Sequence, residues 1–287
     1  MNRVAILVPT YIGHLDYFRQ FSSSYRSSHI NQTADLWIVL SEEDETKHYP
    51  EEKIIFLPEQ LRGNETRGII NKKKFYGLMQ LKDQYEYIIV LDDDTLVNRF
   101  ADLHAECEKY FSKKVLYGNE ASDITIIPEV IKACCSFFSK EQSEIFFNKS
   151  GGLYLWFNQP SIYRCNTLDH FFSVTNMNSR ILNLRWHDFD YYVYMIYLVL
   201  YQDFNIQDIK APSDFGICEA VERESCTKIK SLDFFQNTAL QLTPCVSKII
   251  GKTNHIFTIH VDRGHSWWKE KKIRALFKRA LRKLGLR

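Results

Sequence analysis

The chain lacks paired cysteines. Its seven cysteines, Cys107, Cys134, Cys135, Cys165, Cys218, Cys226 and Cys245, are odd in number and show neither a C-x-x-C pair nor a Cys/His spacing suited to zinc. That pattern excludes a disulfide framework and fits reduced thiols in the cytoplasm. Long hydrophobic runs are missing too: the longest, Tyr191 to Tyr201, falls well short of the roughly 20 residues that cross a bilayer. Residues 3–9 (RVAILVP) already read as a core strand, so no cleaved leader or N-terminal membrane anchor is expected. The sequons at Asn31, Asn64 and Asn148 then have no meaning beyond chance. Repeats, low-complexity stretches and flexible linkers are also absent, which argues against a separate second domain.

Apolar and aromatic residues are plentiful, 45% and 14% of 287, enough to bury a large core in one α/β domain. Charge is unevenly placed. The net +2 conceals nine Lys or Arg against one acid from Trp267 to Arg287 (+8), and 28 basic against 34 acidic in the other 266 residues (−6). An acidic body excludes nucleic acid as its partner. In the basic end, Ile273, Leu276, Phe277, Ala280, Leu281 and Leu284 fall on one helical stripe ringed by Lys and Arg. Such a helix, residues 267–287, is expected to rest on an anionic membrane surface with its cations at the headgroups. The protein is therefore expected to be cytoplasmic and peripheral, on the inner face of the cell membrane.

Strand-length apolar runs alternate with helical patterns through the first 130 residues, the mark of a mostly parallel sheet flanked by helices. Strands are expected at Val4–Val8, Leu36–Leu40, Ile54–Leu57, Tyr87–Leu91 and Val115–Tyr117, and helices near 14–27, 68–82 and 99–112. Pro128–Asn183 reads as irregular and aromatic, with a Gly151-Gly152 break before a strand-like Leu153–Phe157. Asp188–Gln202 is apolar on all sides and predicts a buried helix, and Asn254–Trp268 alternates like a strand until Gly264.

The sharpest chemical feature is IIVLDDDT, an apolar strand running straight into Asp92, Asp93, Asp94 and Thr95. Three adjacent carboxylates repel one another unless a divalent cation offsets the charge. In an extended segment Asp92 and Asp94 point to one side, where both can reach one Mg²⁺ or Mn²⁺, and Asp93 points away.

This arrangement resembles the D-x-D motif of GT-A fold glycosyltransferases, with a first strand ending in Pro9-Thr10-Tyr11 and the acidic triplet after the fourth strand. The stretch RGIINKKKFYGLMQLKDQYEY looks like the helix that faces the nucleotide in that family, and the likeness covers residues 1–120 best. It implies a GT-A (Rossmann-like) domain over 1–266, in which residues 1–120 bind the nucleotide and residues 121–266 receive the acceptor. It implies Mn²⁺ or Mg²⁺ on Asp92 and Asp94, a nucleoside-diphosphate sugar as donor with a UDP-sugar favoured, and a glycan or lipid-linked glycan as acceptor. The setting it suggests is bacterial surface polysaccharide or lipopolysaccharide synthesis. Pro9, Thr10 and Tyr11 would lie under the base, Arg67 and one of Lys72 to Lys74, foremost Lys74, near the diphosphate, and Asp93 toward the sugar or ribose. A late histidine, His260 or His265, would complete the metal shell, with Asp262 and Arg263 as alternative sources of charge. Asp188, and after it Asp190, would serve as the base of an inverting transfer, one of the two acting only as a helix cap; a retaining enzyme needs neither. Gly151 and Gly152 would let backbone approach the sugar, and Trp156, Trp186, Tyr154 and Tyr163 would be stacking candidates.

Other readings fit less well. A nucleotidyltransferase needs a Gly-rich basic loop where this chain has PTYIGH. A haloacid-dehalogenase-like phosphatase also uses a D-x-D at a strand end, but here Thr95 comes one place early and the motif lies far from the N-terminus. A non-catalytic membrane-associated scaffold would have had no reason to keep Asp92 and Asp94. Deleting residues 267–287 is expected to abolish co-sedimentation with anionic vesicles while leaving the thermal midpoint unchanged; a lowered midpoint with binding retained would mean the stripe packs on its own domain.

Overall fold

The computed structural model describes residues 3–50, 52–62, 68–97, 102–120, 126–155, 161–208, 236–239 and 256–260, the last two stretches as backbone only. The chain runs β1 (Val4–Pro9), α1 (Leu15–Ser27), β2 (Ala34–Leu40), β3 (Lys53–Phe56), α2 (Glu59–Arg62), α3 (Ile69–Leu81), β4 (Tyr87–Val90) and β5 (Thr95–Val97). There follow α4 (Leu103–Lys113), β6 (Val115–Glu120), α5 (Ile126–Cys135), α6 (Lys140–Ser150), β7 (Leu153–Tyr154) and β8 (Ser161–Arg164). The remainder comprises α7 (Leu168–Val174), α8 (Met177–Arg180), α9 (Asp190–Tyr201), β9 (Asn205–Asp208), β10 (Gln236–Ala239) and β11 (Ile256–His260). This is the expected α/β class with a mostly parallel central sheet. The basic segment 267–287 lies outside the described residues.

The central sheet has the order β3-β2-β1-β4-β8, all parallel except β8. Continuous apolar runs suit strands covered on both faces, and Val4 to Val8 are wholly buried, as are Ile88 and Ile89 at the centre of β4. Strand order reverses beside β1. The chain moves outward through β2 and β3, then returns to place β4 on the other flank of β1. Between the carboxyl ends of β1 and β4 this leaves a topological switch point, where open α/β sheets bind ligands.

On α1, Phe18, Phe21, Ser22 and Tyr25 form the buried stripe, at helical spacing. α3 packs on β1 and β2 so closely that a Cβ on Gly77 would lie 2.6 Å from Leu7 Cδ2 and 3.1 Å from Val39 Cγ2. α9 is buried nearly all round, as its composition predicts, between α3, α5, α6 and β8.

The middle of the chain differs from expectation. Instead of an irregular stretch it holds four helices, α5 to α8. α6 buries only Phe146 and Ser150, so its apolar period is faint; its signals are local, a capping box between Ser139 and Gln142 and a left-handed stop at Gly151 (φ 57°). Gly151 and Gly152 (φ 82°) have open space where a Cβ would sit, so backbone conformation and not close approach requires them.

Replacing Gly77 by Ala should lower stability by about 1 kcal/mol, because overpacking at about 1–3 kcal/mol outweighs about 1 kcal/mol of improved helix propensity. Urea denaturation measures it; an unchanged or higher midpoint would show that Leu7 and Val39 can yield.

Candidate functional site

The switch point is floored by the end of β1 and roofed by the acidic turn after β4. Burial alternates through the triplet: Asp92 and Asp94 are half-exposed and Asp93 is buried. The turn is closed by Thr95, whose amide and hydroxyl both donate to the Asp92 carbonyl, at 3.3 and 2.7 Å. Asp93 turns back under β1, where its Oδ2 accepts from Thr10 Oγ1 at 2.7 Å and its Oδ1 lies 2.9 Å from His14 Nδ1. Asp93 thus ties the acidic turn to the loop after β1, away from Asp92 and Asp94.

That loop is held from three sides. Ile12 N donates to Glu45 Oε1 at 3.1 Å, Lys73 Nζ donates to the Thr10 carbonyl at 2.6 Å, and Asp93 holds the Thr10 hydroxyl. Its outward residue is Tyr11, 46% exposed, whose ring lies 4.4 Å from that of His14. Gly13 leaves room for this ring, since a Cβ there would collide with Tyr11 Cε2.

α3 supplies the cations. Lys72, Lys73 and Lys74 are all buried, although helical geometry turns each about 100° from the last. Lys73 reaches the Thr10 carbonyl. Lys74 reaches across the site, its Nζ 2.8 Å from Asp92 Oδ1 and 3.4 Å from Asp190 Oδ1. One turn earlier Asn71 donates to the carbonyls of Arg185 and Trp186 at 2.8 and 3.1 Å, fixing the turn before α9 against α3. Asp188 closes that turn by accepting from Arg185 N at 2.6 Å through Oδ2, while its buried Oδ1 accepts no hydrogen bond and has Arg185 Nη2 3.6 Å away. Asp190, 1% exposed, accepts from Tyr163 OH at 2.6 Å. β11 pairs antiparallel with β5, and His260 is in register with Thr95, so the late histidine segment meets the acidic turn.

Burial pushes the Asp93 carboxyl up to about 6, against the stabilising His14 and Thr10 contacts. Burial pushes the Lys73 ammonium down to about 8, partly offset by Glu45 and Asp93. For Lys74 burial also acts downward, but Asp190 and Asp92 outweigh it and hold the ammonium above the usual lysine range.

Of the residues singled out in the sequence, Pro9, Thr10, Tyr11, Lys74, Asp92, Asp93, Asp94, Asp188 and Asp190 gather around this switch point. Arg67, His265, Asp262, Arg263 and Trp156 lie outside the described residues, and His260 is described by its backbone alone. Tyr154 (2% exposed) and Tyr163 (wholly buried) belong to the core, whereas Trp186 is half-buried. Sequence reasoning did not find His14, Asn71 or the separate partner of Lys73; for Asn71 and Lys73 the signal was a run of polar residues in a helix flanked by core strands, and for His14 there was none.

Two half-exposed carboxylates in one turn offer hard oxygen ligands that suit Mg²⁺ or Mn²⁺. They do not close a shell alone. Among the described residues, the trio of potential ligands with donor atoms within 4.8 Å of one another is Glu86, His104 and Glu108, beyond the opposite end of β4. There Arg3 already binds both carboxylate oxygens of Glu86, and Tyr87 OH binds Glu108, which makes it a surface ion network.

No protein-family model matches the sequence, and no curated protein matches it. Among solved structures, the chain is similar to the galactosyltransferase LgtC in complex with donor and acceptor sugar analogues, at 8% identity and TM-score 0.40, over 90% of this chain and 87% of that one. It is also similar to residues 1–349 of S. aureus TarS, at 16% identity and TM-score 0.39, over 82% of this chain and 67% of that one. A likeness of this degree does not say which chemistry a site performs.

Lys73 yields a pH test. A lysine whose folded pKa is lowered loses its proton first in the folded state, so its contribution to stability rises with pH between about 8 and the unfolded value of about 10.4. The stability of the wild type relative to Lys73→Met should therefore improve by about 3 kcal/mol between pH 7.5 and pH 10.5. Urea denaturation of both proteins at the two pH values checks this; a constant difference would show that the ammonium is well solvated.

Proposed function

We propose that the protein is a metal-dependent GT-A type glycosyltransferase of the Leloir class, moving a sugar from a nucleoside-diphosphate sugar to a glycan or lipid-linked glycan. The observation that carries this reading is the placement of Asp92 and Asp94, half-exposed together, at the carboxyl end of a parallel strand beside the topological switch point. A diphosphate bound there needs cations and a base needs a flat surface. Asp92 and Asp94 would hold Mn²⁺ or Mg²⁺, which would offset charge on the leaving diphosphate. Lys74 adds a monovalent charge beside it, and the exposed Tyr11 ring, fixed by His14 and Gly13, offers a face to the base.

Where the transfer inverts the sugar, Asp188 is the base. Its Oδ2 is taken by Arg185 N, which orients the carboxylate, and its Oδ1 has an acceptor position to spare for a hydroxyl proton. Asp190 is engaged with Tyr163 and Lys74 and acts as an anchor. A UDP-sugar is the favoured donor. Surface polysaccharide or lipopolysaccharide assembly is the favoured setting, because the basic segment 267–287 would bring the enzyme to the inner membrane face where lipid-linked acceptors lie. Among the described residues no helix is long and apolar enough to cross a membrane.

Thermal-shift measurements with UDP, GDP, CMP and TDP, each with Mn²⁺ and with chelator, test the reading. One nucleotide should stabilise only when metal is present, and Asp94→Ala should lose that shift while keeping the wild-type midpoint without ligand. Absence of a shift with every nucleotide would return the phosphatase and scaffold readings; a shift equally strong in chelator would remove the metal.

A further inference from the structure

Lys74 has an unusual position for a helix residue beside a metal site: it forms the middle of a buried line running Tyr163, Asp190, Lys74, Asp92. Tyr163 OH donates to Asp190 Oδ2 at 2.6 Å, Asp190 Oδ1 lies 3.4 Å from Lys74 Nζ, and Lys74 Nζ lies 2.8 Å from Asp92 Oδ1. Exposure grades along the same line. The Asp190 side chain is 1% exposed, that of Lys74 11% and that of Asp92 33%. One end of the lysine's ion-pair chain is therefore sealed in the core and the other opens on the switch point. The sealed end has to be paired at all times, because a lone buried carboxylate is costly. The open end does not, since Asp92 also meets solvent.

A divalent ion on Asp92 and Asp94 would stand within a few ångströms of this ammonium, and like charges at that range repel strongly. An ion that takes Asp92 Oδ1 displaces the ammonium from the oxygen it now holds at 2.8 Å. The lysine side chain is long and flexible, and its remaining partner Asp190 lies deeper along the same line, so withdrawal from Asp92 leaves no carboxylate unpaired.

Resting on the transferase reading above, we propose that Lys74 is the resident counter-ion of Asp92, giving up that carboxylate when the metal site fills and thereafter pairing with Asp190 and the donor diphosphate. In this arrangement Lys74 is a positioning residue for the acidic turn before the donor arrives and a diphosphate contact after it. Asp190 and Tyr163 are the fixed anchor that keeps the ammonium within reach of both partners. The exchange also gives a physical reason for an ordered reaction: diphosphate meets an ammonium released from Asp92 only once Asp92 has another cation.

Two measurements on the whole chain test the exchange. The first is Mn²⁺ binding alone, followed by electron paramagnetic resonance, in the wild type and Lys74→Met, with Mg²⁺-dependent pyrophosphate binding followed by calorimetry. Removing the competing ammonium should tighten Mn²⁺ about tenfold and weaken pyrophosphate about tenfold. A lysine that is only structural would weaken both or neither, and that result overturns the proposal. The second uses the wild type, in case Lys74→Met folds poorly. The Lys74 ¹³Cε resonance, assigned with Lys74→Arg, should move as Mg²⁺ fills the site; an unmoved resonance at saturation overturns the exchange. Failure of the wild type to bind Mn²⁺ at all would instead overturn the metal-dependent transferase reading on which the exchange rests.

Discussion

The burial of three consecutive lysines in one helix is the constraint around which the rest of the site is arranged. An ammonium taken out of water needs a partner, and three successive residues on α3 point in three directions. Lys73 finds the Thr10 carbonyl at the end of β1, and Lys74 finds Asp92 after β4 and Asp190 at the head of α9. Three segments far apart in sequence are thereby tied to one helix. Asn71 adds a fourth tie, to the turn that precedes α9. Each partner sits at a strand end or helix start, where the backbone leaves the core, so the polar contacts converge on the switch point and not on the apolar sheet behind it.

Much of the fold was legible because central strands are continuous apolar runs. β1, β2, β3 and β4 all begin or end within two residues of their expected limits, since a stretch such as VAILVP or YIIV is buried on both faces and has only one way to lie in a parallel sheet. The all-round apolar α9 was equally plain. The helices between Ile126 and Arg180 were missed: α6 buries little and takes its limits from capping and a left-handed glycine, whereas α5 does carry a helical stripe of Ile127, Val130 and Cys134. β8 escaped notice for another reason: four residues pairing antiparallel with β4 leave almost no periodic signal.

The site was only partly legible. Alternation within an extended triplet predicts that Asp93 parts from Asp92 and Asp94; the segment is instead a turn closed by Thr95 on the Asp92 carbonyl, yet burial alternates through it as expected. What Asp93 touches was hidden, because His14 and Thr10 are about eighty positions away and reach it only through the pairing of β1 with β4. The same holds for the lysine run. A helical wheel shows that the three residues diverge; only the tertiary structure shows that all three are buried and which carboxylates meet Lys74.

Asp188 and Asp190 show how two residues of one short motif come to different partners. They are two positions apart across the start of α9, so the backbone turns between them and their carboxylates face different surroundings. Asp190 is enclosed by Tyr163 and Lys74 and carries part of the charge balance of a buried lysine. Asp188 orients itself on its own turn through Arg185 N, and its other oxygen faces the exposed Arg185 guanidinium at 3.6 Å. A base must accept a proton from something that arrives and then leaves, whereas an anchor must never lose its partner. The proposed division of base and anchor rests on that difference: the carboxylate inside the helix shares the buried Lys74, and the one on the preceding turn has only the largely exposed Arg185 beside it.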